Sequence, residues 1–303
     1  MLARVREFFA SRNVLEVDTP MVVNHAVTDL HLHPVELRPA AGGNRRYLHT
    51  SPEYAMKRLL AAGSGDIYQL CHVFRGEERG ALHNAEFTLV EWYRCGWSHV
   101  ALMREVDELL RTLLGTGAGA ATRVLSYEQA FAEVLGRKPL DDPDHVLAEC
   151  AQARGSDPTL VRRCGRDELL DLLMAEHVGP RLGLDGPVFV ERYPASQAAL
   201  ARLDDADPRV ALRFELYLHG IELANGFEEL ADEVQQRSRF QAEQSARAAR
   251  GLPVPDIDEF LLAALRAGLP PCAGVALGLD RVLMIACSAR EIGEVLPFSA
   301  ERA

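Results

Sequence analysis

The sequence predicts an α+β fold, an antiparallel β-sheet flanked by helices. Two β-rich runs, 66–75 and 85–92, are joined by a charged segment that contains glycine, which predicts a long hairpin. We expect further strands at 188–192, 210–218 and 220–227. Strands and helices come in blocks without regular βαβ alternation, and this order favours antiparallel pairing.

Hydrophobic periodicity predicts the remaining elements. Leu2, Val5 and Phe8 share a face at helical spacing, so residues 1–13 predict a helix. Pro52 stands where a helix can begin, and Asp280 reads as the N-cap of the last helix. We expect the other helices at 53–62, 98–114, 232–250 and 256–267, three short ones within 120–185, and strands at 14–17, 31–37 and 272–279.

Composition narrows the class of protein. The 303 residues are 48% hydrophobic and 25% charged, as in ordinary globular proteins. The formal net charge of -11 argues against a broad nucleic-acid surface, which needs a basic face. Six scattered cysteines without a C-x-x-C pair argue against a disulfide framework or a zinc site. The N-terminus lacks the pattern of a signal peptide, so we expect a cytoplasmic protein.

The hairpin loop carries the first candidate site. Arg75 ends the first strand, and the planar guanidinium of an arginine suits phosphate oxygens. Glu77 can accept a hydrogen bond from an adenine amino group, and Phe87 offers a face on which a base can stack. Taken alone, a charged hairpin also fits a solvated loop.

Three glutamates at intervals of seven residues form the second candidate site. Glu215, Glu222 and Glu229 lie in segments that otherwise read as buried strands, where an unpaired carboxylate is costly. Two of them can hold Mg²⁺ on a triphosphate, and the third can bind a substrate ammonium group. An exposed edge strand explains any single one of them equally well.

The third candidate site is the glycine-rich segment GVALGLDR, residues 274–281. Glycines in a strand permit close approach of a ligand or of another backbone. Arg281 then enters the following helix, directed at whatever the strand has approached. A packing role for the glycines is the alternative.

Together the three segments resemble the signature motifs of class II aminoacyl-tRNA synthetases. VREFFASRNVLEVDTP resembles motif 1, FRGEERGALHNAEFTLVEWY resembles motif 2 and GVALGLDR resembles motif 3. Within the class, TSPEYAMKRLL and GIELANGFEEL are most similar to lysyl-tRNA synthetases. The resemblance implies the class II catalytic fold and an ATP-dependent reaction that forms an acyl-adenylate.

Nothing that resembles the anticodon-binding domain of lysyl-tRNA synthetases precedes motif 1. This layout resembles the elongation factor P–(R)-β-lysine ligase family, as do Ser51, Ala276 and the segment PASQAAL. We therefore expect one catalytic domain over 1–303, with a helical insertion at about 120–185. Gly76 and Ala85 depart from the usual Asn and Pro of motif 2, which we expect to alter only the stiffness of the loop.

The resemblance also implies the site residues. Those for ATP are Arg75, Gly76, Glu77, Asn84, Phe87, Glu222, Leu223, Gly278 and Arg281. Those for the amino acid are Ser51, Pro52, Glu53, Tyr93, Glu229 and Ala276. Glu215 and Glu222 are expected to hold Mg²⁺, and Arg75 and Arg281 to be catalytic.

In this assignment each residue type suits its partner. Arg75 binds the α-phosphate and the substrate carboxylate, and Arg281 binds the γ-phosphate and packs on adenine. Glu53 binds the ammonium group near the substrate carboxylate, and Glu229 with Tyr93 binds the terminal one. The nucleophile is the substrate carboxylate, which is already ionised at neutral pH and needs no general base.

The implied function is activation of (R)-β-lysine or lysine and its transfer to a lysine side chain of elongation factor P, by a homodimer that pairs through motif 1. One alternative is a free-standing lysyl-tRNA synthetase core that charges tRNA or another amine. A non-catalytic regulatory paralogue is the other. The presence of Arg75, Arg281, Glu215 and Glu222 argues against that second alternative.

Overall fold

The computed structural model describes residues 1–38, 43–300 and 302. Its α-helices are α1 (Leu2–Ala10), α2 (Glu53–Ala61), α3 (His99–Leu114), α4 (Tyr127–Leu135), α5 (Asp144–Ala153), α6 (Pro158–Val161), α7 (Arg166–Leu173), α8 (Glu233–Ala249), α9 (Glu259–Gly268) and α10 (Leu279–Cys287). Its strands are β1 (Leu15–Glu16), β2 (Val22–Val23), β3 (Val35–Leu37), β4 (Arg46–Leu48), β5 (Ile67–Phe74), β6 (Glu86–Cys95), β7 (Arg123–Ser126), β8 (Val188–Pro194), β9 (Val210–Leu218), β10 (Ile221–Glu228) and β11 (Cys272–Gly278).

The described chain divides into two compact units. The first comprises Met1–Ser98, Thr112–Leu114 and the part that begins at Glu229. The second comprises His99–Arg111 and Gly115–Glu228. The expectation of one catalytic domain over 1–303 stays a prediction.

In the first unit, β5 and β6 form the predicted hairpin and β11 pairs antiparallel with β6. The two-residue strand β1 pairs with β5 in parallel, so the sheet is mixed where we expected a purely antiparallel one. Helix α1 covers one face of this sheet because Phe9 stacks on Tyr68 at 4.4 Å and meets Trp92 edge-on. The opposite face of the sheet is thereby left for the site.

A second, three-stranded sheet of the first unit has the order β2–β4–β3, antiparallel throughout. Its strands have only two or three residues. We expected a longer strand over 31–37. Only Val35–Leu37 pairs, because the segment before it includes the turn in which Asp29 accepts from the backbone N–H of His31 at 2.7 Å.

The second unit contains four strands in the order β7–β8–β9–β10. The pair β7 and β8 is parallel, and the other pairs are antiparallel. Helix α4 begins with a capping box on Ser126 and ends at Gly136 in the left-handed conformation. It packs with α5 and α7 over a core that includes Tyr127, Phe131 and Leu170.

Residues 120–185 differ from the predicted three short helices. The segment contains four α-helices and also the strand β7. Strand β7 has only four residues, and its register with β8 holds it in the sheet. Pairing of this kind, with residues some 65 positions away in the chain, leaves no local pattern for sequence reasoning to detect.

All six cysteines are free thiols in the structure. Among the described residues, no helix has both the length and the apolar character that crossing a membrane requires.

Candidate active site

One face of β6 holds the polar side chains around which the first unit builds its candidate site. Alternation along the strand puts Glu91 and Tyr93 on the same face. In the register with β11, Ala276 lies opposite Glu91 and Gly274 lies opposite Tyr93. Because these β11 positions carry one methyl group and none, they leave room for the two polar side chains.

Three carboxylates and one ammonium group meet there, and we call them the carboxylate cluster: Glu53, Glu91, Glu229 and Lys57. Glu91 and Glu229 are only 3% and 6% exposed, and Glu53 is half-buried. The Nζ atom of Lys57 lies 2.8 Å from Oε1 of Glu53 and 2.5 Å from Oε2 of Glu229. The cluster therefore contains more acidic than basic groups.

Burial and mutual repulsion shift the protonation of this cluster. Burial raises the pKa of Glu91 to about 7, and the charge of Glu53 adds to the effect. Burial also raises the pKa of Glu229 to about 8, although the Lys57 ammonium opposes it. Burial alone would lower the pKa of Lys57, but Glu229 and Glu53 more than reverse this effect and raise it. Lys57 thus stays charged, and the carboxylates take up protons as the pH falls through about 8 and about 7.

Ser51 and Tyr93 hold the Glu91 carboxylate in place. The Ser51 hydroxyl donates to Oε2 at 2.7 Å, and the Tyr93 phenol donates to Oε1 at 2.7 Å. The Ser51 oxygen also accepts from the backbone N–H of Glu53, next to the buried Pro52 at the N-cap of α2. The structure thus brings together all the residues predicted for the amino acid, with Ala276 opposite Glu91 in the adjoining strand.

Gly274 is a position where only glycine fits. A Cβ atom there would overlap the ring of Tyr93 and would lie 2.5 Å from Oε1 of Glu229. That oxygen is buried and has no hydrogen-bond partner among the described residues. The absent side chain of Gly274 therefore allows an unsatisfied carboxylate oxygen and a phenol ring to reach the backbone of β11.

Arg75 follows β5, and its guanidinium lies 5.0 Å above the ring of Phe87. Its Nη1 donates to Glu78 at 3.1 Å. Its Nε–H is buried without a hydrogen-bond partner among the described residues. A buried guanidinium N–H without an acceptor suits an anionic oxygen of a ligand, such as a phosphate or carboxylate oxygen.

The loop between β5 and β6 begins at Gly76, whose backbone N–H donates to the carbonyl of His33 at 2.7 Å. A Cβ at Gly76 would lie 3.3 Å from that oxygen, so the loop passes close to the backbone near His33. The carboxylate of Glu77 is largely exposed and lies 3.7 Å from the same histidine ring. An exposed acceptor at this position is open to a nucleotide.

Arg281 connects α10 to the other end of this loop. Its Nε donates to the carbonyl of Leu82 at 3.2 Å, and its Nη2 donates to Nε2 of His83 at 2.8 Å. Burial and then the Arg281 charge lower the pKa of His83, which keeps the imidazole neutral and able to accept this bond. Gly278 is the last residue of β11 and the N-cap of α10.

Asn84 and Asp280 hold the motif segments in place. Nδ2 of Asn84 donates to the carbonyl of Glu86 at 2.6 Å, and its Oδ1 accepts from the backbone N–H of Ala300. The prediction that Asp280 is an N-cap is wrong. The helix begins at Leu279, so Asp280 falls in its first turn, and its Oδ2 accepts from the backbone N–H of Thr88 at 2.7 Å.

In the second unit, Glu215 accepts three hydrogen bonds. The phenols of Tyr193 and Tyr217 donate to Oε2 at 2.5 and 2.6 Å, and Arg213 donates to Oε1 at 2.6 Å. The carboxylate is therefore held firmly, with its charge partly balanced. Oε1 accepts one hydrogen bond from the described residues, so it keeps an open acceptor position among them.

Glu222 pairs with Tyr217 on the neighbouring strand, and the register shifts between Glu222 and Ala224. This bulge contains the buried Leu223. No three acidic, histidine or cysteine side chains converge as a metal site within the part of the chain that the structure describes. Magnesium on a nucleotide needs only one or two carboxylates besides phosphate oxygens, so this pair of glutamates fits that role.

Sequence reasoning missed Glu91 and Lys57 as site residues. Glu91 interrupts the apolar run of a strand, and a carboxylate in a strand that otherwise reads as buried was the signal already used for the other glutamates. Lys57 stands four residues after Glu53, on the helix face that also carries the buried Met56 and Leu60. Both signals are visible in the sequence.

The chain is similar to known proteins along its length. The family model for class II tRNA synthetases (D, K and N) matches residues 1–302. Elongation factor P–(R)-β-lysine ligases of Pectobacterium carotovorum subsp. carotovorum (strain PC1) and Vibrio cholerae serotype O1 are 50% identical over 307 residues, covering all of this chain and 94% of each relative. The ligase of Erwinia tasmaniensis is 49% identical over 306 residues and 93% of its length.

The family model and the relatives confirm the predicted fold class and the predicted family. In the first unit, Arg75 and Glu91 lie in the segment that resembles motif 2, and Arg281 and the small residues of β11 lie in the segment that resembles motif 3. This chain belongs to the elongation factor P–(R)-β-lysine ligase family of class II tRNA synthetase-like, ATP-dependent ligases.

Proposed function

We propose that this protein activates (R)-β-lysine, or lysine, as its acyl-adenylate and transfers it to a lysine side chain of elongation factor P. The observation that carries the proposal is the carboxylate cluster, in which three carboxylates meet a single lysine ammonium group. A ligand with two ammonium groups balances this excess of negative charge. The names of the relatives give the acceptor.

Amino-acid recognition follows from the free acceptor atoms. The unpartnered Oε1 of Glu229, next to Tyr93, is the acceptor for the terminal ammonium group. Glu53 receives the ammonium group nearer the substrate carboxylate. Glu91 adds a second charge beside Tyr93 and is held by Ser51. An amino acid with an uncharged side chain of the same length would leave Oε1 of Glu229 without a hydrogen-bond partner. The cost of that buried, unsatisfied oxygen disfavours binding of such an amino acid.

In the activation step, a carboxylate oxygen of the amino acid attacks the α-phosphorus of ATP and the bond to pyrophosphate breaks. Positioning and charge neutralisation supply most of the catalysis in such a reaction. Arg75 uses its unsatisfied Nε–H for the α-phosphate and the substrate carboxylate. Arg281 binds the γ-phosphate and is positioned by Leu82 and His83.

We assign the remaining ATP contacts to the predicted residues. Glu77, Asn84 and Phe87 place the base and ribose, with Gly76, Leu223 and Gly278 close to the nucleotide. Glu215 and Glu222 would hold Mg²⁺, which neutralises charge on the phosphates when bound. The open acceptor position of Glu215 supports this assignment.

In the transfer step, the acceptor lysine amine attacks the adenylate carbonyl, an amide bond forms and AMP leaves. A protein acceptor agrees with the net charge of -11, because tRNA binding draws on a basic surface. This reaction belongs to the cytoplasm, where elongation factor P acts.

We also propose a homodimer that pairs through the motif 1 region. Leu2, Leu15, Met21 and Val22 are all large apolar side chains with more than 40% of their surface exposed. Light scattering on the protein eluted from a size-exclusion column tests the proposed dimer. We expect twice the chain mass of 33.4 kDa, and the mass of a monomer would contradict the proposal.

Mass spectrometry of elongation factor P tests the activity. Purified protein, ATP, Mg²⁺ and elongation factor P are incubated with (R)-β-lysine or with α-lysine. The proposal expects the factor to gain the mass of one lysyl unit, faster with the β isomer. Charging of lysine tRNA without a mass change on the factor would overturn the proposed acceptor in favour of a tRNA-charging core.

A further inference from the structure

Lys57 stands out among the basic residues of this protein. Only two of the 33 lysines and arginines are lysines, Lys57 and Lys138. Lys138 is exposed in the second unit, whereas Lys57 is 1% exposed on α2. Nearly every basic residue of this chain is thus an arginine, but position 57, where the cation is buried among carboxylates, is a lysine. A buried lysine is rare unless it is paired.

The two carboxylate oxygens of Glu229 have different surroundings, and the difference is due to Lys57. Oε2 is 2.5 Å from the Lys57 ammonium. Oε1 is buried, has no hydrogen-bond partner among the described residues, and lies against the position of the absent Gly274 side chain. The same ammonium group is 2.8 Å from Glu53, one helical turn away. Lys57 therefore fixes two carboxylates and leaves one oxygen of Glu229 for a ligand.

We propose that Lys57 is a positioning residue for amino-acid recognition: its ammonium group holds the carboxylates of Glu53 and Glu229 in place and directs Oε1 of Glu229 to the terminal ammonium group of the substrate. This inference rests on the proposed function, because it concerns the charges of the same amino-acid site. Lys57 neutralises one of three carboxylates. The substrate's two ammonium groups neutralise the other two.

A guanidinium cannot replace the ammonium group in this role. An arginine presents a planar fork that binds both oxygens of a carboxylate. Placed at position 57, it would occupy Oε1 of Glu229 together with Oε2. The compact, single-point charge of lysine leaves Oε1 available.

The test is lysine-dependent ATP–pyrophosphate exchange by the full-length protein and its variants, measured as kcat and KM over a range of pH. The titratable groups that face Lys57 are those of the cluster and two neighbours: Glu53, Glu91, Tyr93, Glu229 and Cys272. Lys57→Met removes the charge and keeps an unbranched side chain. Lys57→Arg keeps the charge, and Lys138→Met is the matched control.

For Lys57→Met we expect the KM for lysine to rise at least about 100-fold, because an uncompensated buried carboxylate takes up a proton. The pH at which the KM begins to rise on acidification should move upward by about one unit or more, while the KM for ATP stays within about twofold. Lys57→Arg should raise the KM for lysine without this pH shift. Lys138→Met should match the unmodified protein.

An unchanged lysine KM and pH profile in Lys57→Met would overturn the proposal. If that variant does not fold, as judged by circular dichroism, Lys57→Arg decides: a lysine KM equal to that of the unmodified protein overturns the proposal, and a raised one supports it. Failure of the proposed function is a different outcome, since the unmodified protein would then show no lysine-dependent exchange.

Discussion

Oε2 of Glu229 lies 2.5 Å from the ammonium group of Lys57, and both side chains are about 99% buried. The other oxygen of Glu229 faces the backbone at Gly274 without a hydrogen-bond partner among the described residues. The Lys57 ammonium group thus pairs with only one of the two oxygens of the buried Glu229 carboxylate. The other oxygen, Oε1, is the chemical basis for selecting an amino acid with a terminal ammonium group.

Substitution of Gly274 by alanine should weaken amino-acid binding. The added Cβ overlaps the Tyr93 ring and lies 2.5 Å from Oε1 of Glu229, so both side chains must move. We expect lysine-dependent pyrophosphate exchange to fall by about 5- to 150-fold, on the scale of an overpacked site. The control is Gly293→Ala, where the nearest atom to the new Cβ is 3.7 Å away. Full activity in Gly274→Ala would show that the positions of the Tyr93 and Glu229 side chains do not determine amino-acid binding.

The KM for lysine should decrease as the pH rises from about 6 to about 9. Glu91 and Glu229 have pKa values raised to about 7 and about 8, so each is protonated at the acidic end and ionised at the alkaline end. A substrate ammonium group binds the ionised form, so affinity is present above these pKa values and is lost below them. The slope should approach about tenfold per unit at its steepest. A lysine KM that is independent of pH contradicts the cluster as the binding site.

Much of this site could be predicted from the sequence, because its residues lie in contiguous motif segments. Ser51, Glu53 and Tyr93 were predicted for the amino acid, and the structure places them together. Glu91 was not predicted, although its carboxylate interrupts the apolar run of a strand. Its hydrogen-bond partners are Tyr93 on β6 itself and Ser51, which precedes α2 and meets β6 only in the tertiary structure.

The errors in the fold have a common cause, which is dependence on distant parts of the chain. Strand β7 exists because it pairs with β8, and β2 to β4 are too short to show any period. Asp280 was expected as an N-cap from its residue type, but the backbone N–H of Thr88 provides its hydrogen bond instead. By contrast, β9 spans the predicted residues because nine residues of buried sequence leave a strong local pattern.

Arg75→Lys should impair activation while leaving the fold intact. The ammonium group of lysine lacks the planar fork that contacts Glu78 and presents a further N–H to a ligand. We expect kcat/KM for ATP to fall about 100- to 1,000-fold, the range for removal of one charge-stabilising donor. The neighbouring Arg79, which is exposed, gives the control Arg79→Lys. Equal kinetics in the two variants would remove Arg75 from the catalytic residues.

His99 should make the second unit's stability depend on pH. Its ring lies 2.7 Å from Glu228 and 3.4 Å from Glu191. Burial opposes its protonation, but these carboxylates raise its pKa from 6.5 to about 9. A raised pKa stabilises the fold fully below the unfolded value, near pH 6.5, and the contribution is lost as the pH rises through about 9.

The comparison of His99→Gln with the parent protein by urea denaturation measures this contribution. We expect His99→Gln to lower the free energy of unfolding by about 2–3 kcal/mol below about pH 6.5 and by much less above about pH 9. The exposed His145 supplies the control His145→Gln, which should have no such effect. If the free energy of unfolding of His99→Gln is lower by the same amount at every pH, the His99 side chain stabilises the fold by packing and not by its charge.

Lysine-dependent ATP–pyrophosphate exchange in Glu229→Gln is the most direct test of the central claim, that the buried carboxylate cluster recognises a lysine-like amino acid. The amide keeps the shape of the side chain and removes the charge that binds the substrate ammonium group. We expect the exchange rate to fall by about 100-fold or more, on the scale of a broken buried ion pair. The exposed Glu149→Gln should keep the parent rate, and norleucine, which lacks the terminal ammonium group, should support no exchange. An unchanged rate in Glu229→Gln would contradict the account.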